Sequence, residues 1–162
     1  MQLFEIISLH DIYLVIFSIA LSLGLGAAVL SILVWFSILR DSKLSADEVS
    51  IVKDGRAVGW IAILLYSLSG IGLFTLSYEA MLALDIFRAA MVVFVCLVTA
   101  QSVVQFFILP LLTPGTSMVH GDPRVGAWFT FSEICIVTSW LFLVLHHSVY
   151  RLEVNFWLAL TV

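Results

Sequence analysis

Glu133 is the only formal charge between Arg124 and Arg151, inside a run of otherwise apolar residues. An ionisable side chain placed there is expensive to keep in lipid, which makes it the first candidate for chemistry. Gln105 and Gln101 occupy the preceding apolar run. Counted from the polar stretch between the two runs, Gln105 and Glu133 lie about seven and eight residues in. At about 1.5 Å per residue both sit roughly 10 to 12 Å deep. A polar cluster of Glu133, Gln105 and Gln101 is therefore expected, with Ser67 and Ser69 adding hydroxyls. Two chemistries fit it. One is a proton or cation relay through Glu133. The other is a neutral, protonated glutamate that pins one helix to its neighbour, since no basic partner or second acid is expected at that depth.

The histidines form a second group. His10 precedes the first apolar run and is followed by Asp11, while His146 and His147 close the last run. Neutral imidazole ligates haem iron or copper, and facing helices of a bundle are where such ligands are supplied. His10, His146 and His147 are thus candidate cofactor ligands, with His10, Asp11 and His147 as a candidate metal set. Neighbouring residues on a helix point about 100° apart, so one of His146 and His147 at most faces inward. Depth works against a shared site: along a helix Trp35 to His10 is about 37 Å, whereas Trp128 to His146 is about 27 Å. The alternative is interfacial histidines bonded to headgroups or to Glu79 and Asp85.

The elements that must position these residues follow from composition. The 162 residues are 62% hydrophobic and 11% charged, with a mean hydropathy of +1.16, which excludes an ordinary soluble domain of this length. Runs of spanning length fall at about 12–39, 58–78, 89–112 and 125–149. Segments this long and continuously apolar satisfy their backbone in lipid as helices, not as barrel strands. The expectation is an all-α, four-helix transmembrane bundle, a single integral membrane domain over 1–162. Residues 150–162 would form an interfacial tail, with Leu152, Phe156 and Leu160 at helical spacing. The residues before the first run carry no Lys or Arg, and the run is too long for a signal-peptide core, so it is read as a retained span. Arg40, Lys43, Lys53 and Arg56 lie in the first connection and Arg124 in the third, against Arg88 and Arg151 on the other side. By the positive-inside rule both termini face outside, periplasmic if the membrane is the inner membrane of a bacterial cell.

Local signals add detail. Ser45, Ala46, Asp47 and Glu48 spell a capping box, so a helix starts at Ala46 and runs towards Trp60, with Gly55 as a candidate break. In the first run Ser18, Ser22 and Gly26 make one small-residue stripe and Ala20, Gly24 and Ala28 another, suited to close packing within the monomer or to a dimer seam. Pro110 should kink or end the third helix, and a turn-rich loop containing His120 follows. Cys96 and Cys135 sit within apolar runs and suggest packing residues, not a disulfide framework.

Leu9-His10, Gly24-Leu25-Gly26-Ala27, Leu39-Arg40-Asp41, the Ser45-to-Glu48 cap and Trp60 followed by Ser69-Gly70 resemble a group of small uncharacterised bacterial four-span membrane proteins. That group in turn looks like distant kin of the copper-resistance D family and the HemJ-type protoporphyrinogen oxidases, which also place a histidine early in span one. The resemblance covers roughly the first half of the chain. It implies a haem b, porphyrin or copper role for His10, although this sequence lacks a further histidine well within the spans and an intramembrane lysine. Three functions follow as expectations: a redox or metal-handling protein, a cofactor-free accessory or scaffolding subunit of a larger membrane complex or homo-oligomer, and a channel or transporter built on Glu133. No phosphate loop, nucleophile elbow or basic nucleic-acid-binding patch competes with them.

Overall fold

A computed structural model describes residues 9–41, 45–82, 85–112 and 123–160. His120 and the loop around it fall outside the described residues. The described chain is helical: α1 spans Leu9–Asp41, α2 Ala46–Leu82, α3 Asp85–Val103 and α4 Pro123–Leu160. Each contains a stretch long and apolar enough to cross a membrane. At about 1.5 Å per residue the 33 residues of α1 reach roughly 50 Å. The protein is an integral membrane four-helix bundle.

α2 begins where the capping box places it. The Glu48 amide donates to Ser45 Oγ at 3.1 Å and the Ser45 amide donates back to Glu48 Oε2 at 2.9 Å. Two amides with no helical partner are thereby satisfied. The helix then passes Gly55 without a break. α1 packs most closely on α2 and α3 on α4, and contacts of α1 with α4 and α2 with α3 close the ring.

The two small-residue stripes of α1 part company. Ala20, Gly24 and Ala28 are buried, whereas Ser22 and Gly26 face outward. At Gly24 the close approach is essential: a Cβ there would lie 2.4 Å from the ring of Trp140. The indole is itself buried and crosses Tyr66 edge-on at 6.2 Å between centroids. Large apolar side chains such as Leu33, Leu64, Val92 and Phe131 cover the outside, as expected for a surface solvated by lipid tails.

α3 ends irregularly. Its last helical turn widens into a π turn over Val104–Ile108, where the Leu109 amide reaches back to the Val104 carbonyl, and then tightens into a 3-10 turn over Leu109–Leu111. Pro110 supplies the cause, because it has no N–H to continue the α-helical ladder and its ring crowds the preceding turn. The expected stop therefore spreads over two turns. The α4 backbone stays helical through Leu160, past the end of its apolar span at Ser148.

Candidate functional site

Each helix contributes one polar residue to a single buried centre: Ser31 from α1, Arg56 from α2, Gln101 from α3 and Glu133 from α4. All four are at most 3% exposed. Arg56 Nη2 forms an ion pair with Glu133 Oε1 and donates to Ser31 Oγ at 3.1 Å. Ser31 in turn donates to Glu133 Oε1 at 3.3 Å. On the other side Arg56 Nη1 donates to Gln101 Oε1 at 2.8 Å, and Gln101 Nε2 donates to the Arg56 carbonyl at 3.4 Å. Gln101 thus grips both the head and the backbone of the arginine. Two atoms of the pair are left over: Arg56 Nε and Glu133 Oε2 are buried without a hydrogen-bond partner.

This arrangement corrects the reading of Glu133 as an acid without a basic partner. Arg56, counted from sequence among the cations of the first connection, is held inside the bundle. The positive-inside count survives the change, with Arg40, Lys43, Lys53 and Arg124 against Arg88 and Arg151. Gln101 joins the centre as expected. Gln105 does not belong to this network, since it lies half-buried on the π turn, where the helix no longer keeps residues four apart on one face. Ser67 and Ser69 also stay out, bonding instead to the Ile63 and Leu65 carbonyls of their own helix.

A small cavity of about 10 Å³ adjoins the centre, lined by Ser31, Arg56 and Gln101 and by Gly24, Gly55 and Gly59. It has room for roughly one water. Gly59 keeps this space and the amide in place, because a Cβ there would lie 2.7 Å from Gln101 Nε2.

The histidines do not converge. His10 Nδ1 is 3.9 Å from Asp11 Oδ1, and both side chains are more than half exposed. His147 turns towards α1 instead, its Nε2 3.4 Å from Ser18 Oγ and its ring 5.1 Å from that of Phe17. Ser18 lies eight residues beyond His10, about 12 Å along the helix, so His10 and His147 stand at different depths. His146 stacks on Phe142 of its own helix at 6.3 Å, with Nε2 buried and unpartnered. Among the described residues no three His, Cys, Asp or Glu side chains gather where one ion would reach them. This donor set does not fit a haem or copper shared between His10 and His146 or His147.

Comparison with protein-family models, with curated proteins and with solved structures gives no match.

Proposed function

We propose that the protein is a small proton-handling protein of the cell's inner membrane, with Glu133 as the proton-accepting group and Arg56 as its built-in counter-charge. The observation that supports this reading is the asymmetry of the buried carboxylate. Oε1 receives both Arg56 and Ser31, while Oε2 has no partner. Oε2 is accordingly the atom to which a proton adds. Protonation neutralises Glu133 and weakens its hold on Arg56. Because Ser31 and Arg56 belong to α1 and α2 and Glu133 to α4, one proton then loosens the join between helices. Stability alone is a poor reason to keep such a pair, since apolar replacements of buried ion pairs are often neutral or stabilising. An ionisable group within the membrane is better read as functional. On the lysine and arginine count, both termini face the periplasm.

The test is proton flux into liposomes that hold the purified protein and a trapped pH dye, driven by a potassium diffusion potential. Wild-type vesicles should acidify faster than empty ones, and Glu133→Gln should return the rate to that of empty vesicles. Ser22→Ala, on the outward face, should leave it unchanged. Wild-type vesicles no faster than empty ones would overturn the proposal and favour an accessory subunit whose buried pair only fixes helix packing.

A further inference from the structure

The Arg56 guanidinium has more donors than its protein neighbours take up. Nη1 donates to Gln101, and Nη2 serves both Ser31 and Glu133. Nε has no partner within the protein, although the whole side chain is buried. A buried N–H left unsatisfied is costly, and more so on a charged group. The same side chain lines the cavity of about 10 Å³, to which all four helices contribute. Ala28, Ile136 and Trp140 make its apolar wall, and Ser31, Gln101 and Arg56 its polar one. Gly55 borders it as well. This glycine is buried, yet a Cβ built on it would meet nothing nearer than the Ala27 carbonyl oxygen, at 3.9 Å. Beside the arginine there is thus room for about one small group.

We propose that this cavity is the binding site of one ordered water, which accepts the Arg56 Nε hydrogen and donates to Ser31 Oγ and to the Ala27 carbonyl. Size and charge select the ligand. The volume admits about one water and nothing much larger. A cation would be repelled by the guanidinium. An anion would crowd the Glu133 carboxylate that already shares it. A small neutral molecule that both accepts and donates is what remains. The acceptors are available. Ser31 Oγ receives Arg56 Nη2 and has a second lone pair, as does a carbonyl already bonded within its helix. The water then meets three protein groups, the usual number for a buried one. Glycine within a helix is less favourable than alanine, and the water gives Gly55 a reason to be there: it supplies space, while α2 runs through it unbroken. The site goes beyond the proton-handling reading, since it rests on the arginine and the cavity whether or not Glu133 carries protons.

The experiment is NMR of the whole protein in detergent micelles, with nitrogen-15 arginine in a deuterated background. Cross-peaks between water and the Arg56 Nε hydrogen, assigned through bonds from its own backbone amide, are recorded in the laboratory and the rotating frame. Opposite signs in the two mark a bound water, and equal signs mark hydrogen exchange. Wild type should give the cross-peak with opposite signs. Gly55→Ala, whose methyl enters the cavity without a clash, should lose it while keeping the helical circular-dichroism signal. Gly26→Ala, which meets nothing within 4 Å, should retain it. Absence of a bound-water cross-peak in wild type would mean a dry cavity and overturn the proposal, even if Gly55→Ala failed to fold. Its survival at full intensity in a folded Gly55→Ala protein, or its loss in Gly26→Ala as well, would place the water elsewhere and overturn it too. The cross-peak and the proton flux are separate readouts, so the two proposals fail independently.

Discussion

Replacing Arg56 by Met and Glu133 by Leu, singly and together, tests whether the buried pair acts as one unit. Each single change leaves the other charge buried without its counter-charge, which costs about 3 to 5 kcal/mol in comparable buried pairs. Arg56→Met also strips the donor from Gln101 Oε1 and from Ser31. Glu133→Leu removes the acceptor that Ser31 and Arg56 share. Opposite charges about 4 Å apart attract by roughly 4 kcal/mol at an effective dielectric of 20, the same order as that loss. The double variant removes both charges and fills the space with hydrocarbon, so it should lie within about 1 to 2 kcal/mol of wild type. The coupling should therefore reach at least about 3 kcal/mol, the upper end for directly interacting side chains. Reversible unfolding in bicelles, followed by circular dichroism with a steric trap, reads each corner of the cycle. Single effects that add to the double effect within about 0.5 kcal/mol would refute the pairing.

Other expected outcomes are simpler. Gly24→Ala should destabilise the bundle by about 1 to 3 kcal/mol in the same assay, because the buried ring of Trp140 fills the place of the new methyl. Gly59→Ala meets only the flexible end of Gln101, so it should cost less while displacing the amide from Arg56. A further loss of less than about 0.5 kcal/mol when Gln101→Ala is added would confirm that both changes act on one contact. Ser45→Ala should cost about 1 kcal/mol by removing the cap of α2, and Ser45→Asp should restore most of it. The purified protein should show no Soret band and no stoichiometric copper, since His10 and His147 stand at different depths. A Soret band lost on His10→Ala would restore the haem reading.

Four spans were legible in the sequence because length and apolarity alone decide whether a backbone can cross lipid. The start of α2 was legible because Ser45 and Glu48 satisfy each other locally. Arg56 was not, because hydropathy averages over a window and groups it with Lys53 and Asp54. The missing signal was helical depth. Arg56 lies ten residues after Ala46 and Glu133 ten after Pro123, about 15 Å from the start of each helix. Extending the capped helix that far would have paired them. Gln105 failed for the opposite reason, since its placement assumed a regular helix where Pro110 had already forced a π turn. The histidine depths did carry over: counting along the helices separated His10 from His146, and His147 meets Ser18 instead.

The buried pair also has a temporal side. Arg56 leaves the ribosome 77 residues before Glu133, a wait of roughly 4 to 15 s at about 5 to 20 residues per second. During that interval the hairpin of α1 and α2 offers the guanidinium Ser31, and α3 then adds Gln101, which follows Arg56 by 45 residues. An arginine ten residues into its helix withstands this better than an acid would, because its long side chain can extend part of the way towards the headgroups until a counter-charge arrives. The reverse order, with the short carboxylate first and the arginine in the last span, would leave the acid no such reach. The placement of the two charges along the chain thus puts the longer-reaching one in the helix that is made first, before α4 supplies its counter-charge.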